Sequence, residues 1–354
     1  MILGIDTTFH TTGLALVDSS NRVIFDRSIA INFSNQDADK FFSAHIKNLT
    51  KFISLISEKE WQKINLISVV NKEGAFHSLP MGVMAAYIIG TLKNKKVIGV
   101  DHEIAHLYSN WLEREEEDFN FPIVSLSVSG AHTVVYFQKD HQKINKLASV
   151  FWNDKLNSFG GIAALFDDFC HKVRIKIKKT GQGGVVLSNL AQKGERMVFN
   201  ELSVIKSKHD KGVIIISGIN RAIKDILLNY RKDLANKKFQ QNLSLNFLDH
   251  IFRILACELI KLAKFSKVKE IHLVGGVSAN SIFKEILKNI SIENKFVFKS
   301  PLRKKFCGDN AAMVAVRGKY KNLSTQKQES ISVFPSRWYY NYYFKNYLKD
   351  KKVK

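Results

Sequence analysis

Cysteine is scarce. Cys170, Cys257 and Cys307 are the only three in 354 residues, widely spaced and without a C-x-x-C pair. That spacing excludes a disulfide framework and a structural zinc knuckle, and it points to a reducing compartment. No run reaches the roughly 18 apolar residues of a membrane span. The opening Met1-Ile2-Leu3-Gly4-Ile5 is strand-like rather than a basic segment leading into an apolar one, so a cytoplasmic protein is expected. Acidic residues are also few, 32 against 54 Lys plus Arg, which leaves a net charge of +22. Such an excess suits a polyanionic partner such as nucleic acid, although an even spread of lysine along the chain explains it equally well. The apolar share of 45% with 24% charged residues excludes a disordered chain, and the length suffices for two domains.

What is present is organised around Asp101-His102-Glu103-Ile104-Ala105-His106, a strand end running into a helix. Residues four apart share a helix face, so the two imidazoles can reach one ion together. The alternative is one histidine packed locally and the other in water.

Around it the chain alternates. Ile2–Ile5, Gly13–Val17 and Val23–Ile31 read as three strands, with the small hydroxyl turn 6–12 between the first two, where open backbone N–H groups suit a phosphate and Asp6 suits a metal or sugar contact. A helix is expected over 38–57, a buried strand over 66–70, a helix over 81–92 and a strand over 97–100. The acidic run 113–118 reads as a solvated loop. The opening pattern then returns in Pro122–Ser129, the turn Gly130-Ala131, His132–Phe137 and Lys146–Phe151, about 120 residues later. This is a structural repeat.

Residues 157–184 combine Phe159-Gly160-Gly161, the basic strip Lys172, Arg174, Lys176, Lys178 and Lys179, and Gly181-Gln182-Gly183-Gly184. Glycine and positive charge together suit phosphate, and a surface strip suits them as well. Residues 187–231 read as mostly helical apart from the strand-like run 213–216, and a long helix is expected over 243–265. The strand 271–274 leads into Gly275-Gly276-Val277-Ser278-Ala279-Asn280, a strand–glycine–helix geometry that suits a nucleotide, with Asn280 placed for a ribose or base. Asp309 precedes a further helix, where an N-cap is the simplest role.

Strand and helix order argue for mixed sheets covered by helices. Two such repeats resemble the two-lobed actin-like and sugar-kinase-like (ASKHA) α/β fold, which clamps phosphates between lobes. The expected lobes are 1–100 with 311–354, and 101–310 with a helical insert around 157–250.

Five ordered stretches resemble the tRNA N6-adenosine threonylcarbamoyltransferase (TsaD) family. They are Gly4-Ile5-Asp6-Thr7-Thr8 with Thr12-Gly13; His102 to His106, with Glu103 moved one place inside the family's histidine pair; Phe121-Pro122 through Val128-Ser129-Gly130-Ala131-His132-Thr133; Gly275 to Asn280; and Cys307 to Met313. The resemblance implies transfer of a threonylcarbamoyl group from threonylcarbamoyl-adenylate to N6 of the adenosine beside the anticodon in ANN-reading tRNAs. It implies that His102, His106 and Asp309 hold one divalent ion, Fe²⁺ or Zn²⁺. It implies that Ser127, Val128, Ser129, Gly130 and Ala131 cradle the phosphate and acyl part, that Asp167 meets the ribose, and that Gly183, Gly184 and Asn280 hold the adenosine of that adenylate or of ATP. The implied partners are tRNA, a threonylcarbamoyl-adenylate synthase, a small ATPase and a paralogous dimer partner, with no membrane involved. No side chain stands out as the base for the N6 proton.

There are departures. Lys72-Glu73-Gly74 replaces the family's G-P-G, and the family's D-D-A stretch survives only as Phe166-Asp167, with Asp168 available if the register slips. Two other readings therefore remain: a carbamoyltransferase acting on a small metabolite, members of which carry a further domain, and a catalytically degenerate scaffold subunit. The segment 319–354, rich in tyrosine and lysine, suits stacking on RNA or packing on the first lobe.

Overall fold

The structure, a computed structural model, describes residues 1–8, 11–31, 38–129, 132–152, 161–179, 181–323 and 331–334. Two compact units are formed, Met1–Phe119 with Pro301–Lys354, and Asn120–Ser300. The first crossing lies later than the boundary expected near residue 100, and the second lies earlier than the one near 310. The histidine helix and Asp309 therefore belong to one unit.

In that unit β1 (Ile2–Asp6) is buried along its whole length, as a strand covered on both faces must be. It pairs antiparallel with β2 (Thr11–Val17), which pairs antiparallel with β3 (Val23–Ala30). The helix expected over 38–57 is broken. α1 (Ala38–Ile53) ends early, and Ser57 closes a capping box with Glu60 and starts α2 (Glu58–Lys63). β4 (Leu66–Lys72), α3 (Leu79–Lys93), β5 (Lys96–Asp101) and α4 (His102–Leu107) follow, with β4 parallel to both β1 and β5. The sheet order is β3-β2-β1-β4-β5. Leu3, Ile5 and Val69 meet Leu49, Phe52, Val83 and Ala86 in one apolar layer.

The second unit repeats the scheme. β6 (Ile123–Val128), β7 (Thr133–Gln138) and β8 (Ile144–Trp152) form an antiparallel set. α5 (Ile162–Lys172) and α6 (Gly183–Ala191) come next. The stretch expected to be mostly helical apart from 213–216 holds a hairpin, in which β9 (Lys206–Asp210) was not expected and β10 (Val213–Ser217) is the expected strand, before α7 (Ile219–Asn229). β9 reads KSKHD, with no apolar alternation to reveal it, and sits at the polar edge of the sheet. α8 (Lys237–Phe265), β11 (Glu270–Val274), α9 (Ser281–Glu293) and β12 (Val297–Lys299) complete the unit. The sheet order is β12-β11-β6-β7-β8-β10-β9. Stripped of β10 and β9, the order β8-β7-β6-β11-β12 matches that of the first sheet, so the structural repeat is present. Its core includes Phe169 stacked on Phe247 and Phe252 stacked on Phe283.

α10 (Ala311–Asn322) returns the chain to the first unit. It can lie directly on the sheet because β1 and β2 carry Gly4 and Gly13. A Cβ on Gly4 would run into the Ala311 carbonyl oxygen. The aromatic, basic stretch from Trp338 to Tyr347 lies outside the described residues. No helix among the described residues is long and apolar enough to cross a membrane.

Candidate metal centre and substrate-binding turns

Three elements of the first unit converge on one point. β5 delivers Asp101, whose carboxylate accepts the Ile104 N–H and starts α4 at His102. The short helix then places His102 and His106 on one face, with ring centroids 4.7 Å apart. α10 supplies the third group. Its N-cap is Asn310, whose Oδ1 accepts the Met313 N–H at 2.9 Å, so the capping role expected for Asp309 falls one residue later. Asp309 is left to face the histidines. Its Oδ1 lies 3.4 Å from His102 Nε2 and 3.3 Å from His106 Nε2.

These donors fit a metal ion. Around a tetrahedral ion with bonds of about 2.1 Å, neighbouring ligand atoms stand about 3.4 Å apart, which is the spacing from Asp309 to each histidine, and all three ligand atoms lie within 4.8 Å of one another. Both histidines are buried, and Asp309 is one-third exposed, so the cluster has one open side.

Behind His102 stands Asp6, from the end of β1. Its Oδ1 accepts the N–H and the hydroxyl of Thr8, and its Oδ2 lies 3.5 Å from His102 Nδ1. The Thr8 hydroxyl, its own proton given to Asp6, sits 3.1 Å from the same Nδ1. That network favours a proton on Nδ1 and turns Nε2 toward Asp309. Burial alone would lower the affinity of His102 for a proton. The Asp6 and Asp309 carboxylates outweigh burial and hold its pKa well above 6.5. Burial would raise Asp309, but His102 and His106 outweigh that and keep it far below the usual carboxylate range. The pocket thus favours a cation, whether proton or metal. The sequence suits Asp6 to a metal or sugar contact; its part in orienting His102 needs the fold.

The substrate-binding candidates all lie in the second unit, and most of them are brought together. Ser127 and Val128 end β6, and Ser129 begins the following turn by donating its N–H to the His132 carbonyl. Gly130 and Ala131 lie outside the described residues. Gly275, at φ 84°, passes so close to Val128 that a Cβ would meet its carbonyl oxygen at 2.5 Å. This brings the turn after β11 against the end of β6. Asp167, buried on α5, accepts the N–H groups of Gly181 and Gly183. Gly183 and Gly184 form the first turn of α6 rather than a free loop. Ser188 donates to the Gly184 carbonyl and accepts from the Asn280 amide, both at 2.6 Å. Asn280 also caps α9 by accepting the Phe283 N–H. Asp167 and Asn280 therefore shape the turns they occupy. Asp168 instead pairs with Lys172 at 2.7 Å. The cluster sits at the carboxyl ends of β6 and β11, where open α/β sheets bind ligands.

Two helix-covered mixed sheets of one order define the actin-like, sugar-kinase-like class. HypF, in a crystal structure of the full-length protein in its phosphate- and nucleotide-bound form, has this fold. It superposes with a TM-score of 0.59 at 12% identity, over 93% of this chain and 56% of that one. The chain thus spans little more than half of that HypF. The sequence model of the tRNA N6-adenosine threonylcarbamoyltransferase family matches residues 33–316, and the chain belongs to that family. A Fusobacterium nucleatum protein named tRNA N6-adenosine threonylcarbamoyltransferase is 29% identical, with 93% of each chain covered. One of the same name from Bacillus subtilis is 26% identical, over 90% of this chain and 89% of that one.

Proposed function

We propose that this chain is an acyltransferase that moves a threonylcarbamoyl group from threonylcarbamoyl-adenylate to N6 of an adenosine in tRNA, with His102, His106 and Asp309 holding one divalent ion, Fe²⁺ or Zn²⁺. One observation carries the reading: the two imidazoles meet the Asp309 carboxylate in a chain whose family match covers most of its length. Bound there, the ion supplies Lewis-acid polarisation of a carbonyl or phosphate oxygen.

The chain's own groups do the rest. Asp6 and Thr8 keep the His102 ring turned and its Nδ1 protonated. Ser127 to Ala131 receive the phosphate and acyl part. Asp167, by fixing the turn at Gly181 to Gly184, and Asn280, by fixing the start of α9, shape the place for the adenosine. In the transfer the N6 nitrogen bonds to the carbamoyl carbon, the bond to the adenylate phosphate oxygen breaks, AMP leaves, and N6 gives up one proton.

tRNA suits the basic strip on the second unit, where Val173 and Ile175 are buried while Arg174, Lys176 and Lys178 point outward. A protein partner such as a paralogue suits the exposed row Met84, Ile88 and Leu92 of α3. A synthase for the adenylate, a small ATPase and a cytoplasmic location complete the proposal. Against a degenerate scaffold stands the retention of all three donors in contact.

The test is to incubate the metal-loaded protein and its partner proteins with threonylcarbamoyl-adenylate and unmodified tRNA, then to analyse the nucleosides by mass spectrometry. Threonylcarbamoyladenosine is expected. Its absence with a fully loaded protein overturns the reading.

A further inference from the structure

The four residues Ile331–Phe334 follow α10 and lie beyond the residues 33–316 that the family model matches. They are nevertheless tied into the first sheet. β1 pairs with β4 only as far as Ile5 opposite Val69, while β4 runs on to Lys72. At Lys72 one edge is taken by Asp101 of β5, and Phe334 fills the other as a parallel bridge. The Phe334 N–H donates to the Asn71 carbonyl at 2.8 Å, and the Glu73 N–H donates to the Phe334 carbonyl at 3.1 Å. The Asn71 side-chain amide donates to the Ser332 carbonyl at 2.7 Å, and the Ile331 N–H donates to the Tyr87 hydroxyl at 2.6 Å. Val333 packs against the apolar cluster formed by Val70, Leu79, Val100, Ala105, Met313 and Val314.

Two members of that cluster lead to the metal donors. Ala105 lies between His102 and His106 on α4, and Met313 is in the helical turn that follows Asp309. A second route runs through the turn itself. Lys72-Glu73-Gly74 stands where the family pattern has G-P-G, and Glu73 adopts φ 59°, the left-handed region that side chains other than glycine occupy at a cost. Its N–H is held by Phe334. Gly74 then touches Thr8 so closely that a Cβ would lie 3.1 Å from the Thr8 methyl. Thr8 in turn meets His102 Nδ1.

We propose that Ile331–Phe334 is a positioning strap for the metal centre, holding the Lys72–Gly74 turn and the apolar bed of α4 so that His102, His106 and Asp309 stay in register. This inference rests on the metal reading, so its test keeps the two separable.

Three chains are compared: the full chain, one ending at Phe334 and one ending at Ser330. Zn²⁺ affinity is read by chelator competition, and amide hydrogen exchange is followed over 72–74 and 102–107. The chain ending at Phe334 is expected to match the full chain. The chain ending at Ser330 is expected to bind Zn²⁺ about tenfold or more weakly, as loss of support behind a ligand does, with faster exchange in both stretches. Glu73→Gly in the shorter chain is expected to recover part of the affinity, because glycine accepts the left-handed turn unaided. If the shorter chain fails to fold, Phe334→Pro in the full chain removes the N–H given to Asn71 and is expected to shift affinity and exchange in the same direction. Unchanged affinity and exchange in the chain ending at Ser330, or in Phe334→Pro, overturns the strap. So does an equal loss in the chain ending at Phe334. A full chain that binds no Zn²⁺ tells against the metal site instead, and exchange over 72–74 and 102–107 then decides the strap by itself.

Discussion

Asp6 Oδ2 lies 3.5 Å behind His102 Nδ1, on the side of the ring opposite Asp309. A carboxylate in that position orients the imidazole without touching the ion. Asp6→Ala is therefore expected to leave all three donors in place and still weaken metal binding by about 10–100-fold. Chelator competition checks this. An affinity equal to wild type would show that Asp6 serves only the turn.

Asp309 and Asn310 are adjacent but do different work. Asn310→Ala removes the cap of α10 and is expected to cost about 1 kcal/mol of stability, with the metal site intact. Asp309→Asn is expected to abolish tight metal binding and also to lower the urea midpoint of the metal-free protein, because it breaks the pairing with His102 and His106. Measuring both quantities on both variants separates cap from ligand.

Glu270 gives the second unit a pH dependence. Its buried carboxylate meets His272 Nε2 at 2.6 Å and Lys299 Nζ at 2.8 Å, and it accepts the Asn120 N–H. Burial would raise its pKa, but His272 and Lys299 outweigh this and hold it below 4.5. A depressed carboxylate adds stability that is present above its unfolded value and is lost as pH falls through the folded one. The loss is thus expected below about pH 4.5. Glu270→Gln should cost about 3 kcal/mol at pH 7, the scale of a broken buried pair, and much less at pH 3. Urea unfolding at the two values checks this; an equal cost at both would show that the charge is not what stabilises.

The basic strip makes a prediction in salt. Replacing Arg174, Lys176 and Lys178 together by Ala is expected to lower the slope of log affinity for tRNA against log salt by roughly 2, since each phosphate contact contributes about 0.7–0.9. Metal content should stay at the wild-type level. A slope equal to wild type would move the tRNA surface elsewhere.

Much of this was legible in the sequence, for particular reasons. The i, i+4 spacing of His102 and His106 fixed a shared helix face, and the apolar runs of β1, β4 and β6 fixed buried strands. Other features depended on neighbours distant in the chain. KSKHD carries no strand alternation and pairs only because β10 lies beside it. α1 stops at Ile53 although its apolar spacing runs on to Ile56, with Ser57 capping the next helix. Asn310 rather than Asp309 caps α10, a one-residue difference that backbone geometry decides. The role of Asp6 behind His102 joins residues 96 positions apart, and the strap at Phe334 joins a segment with no distinctive pattern to the turn at Glu73.

The central claim is that His102, His106 and Asp309 hold one ion on which the transfer depends, and metal content per chain tests it most directly. Elemental analysis of wild type, His102→Ala and Asp309→Ala, all folded, is expected to give about one divalent ion in the first and almost none in the other two, with transfer lost in parallel. Full occupancy in either variant would contradict the account.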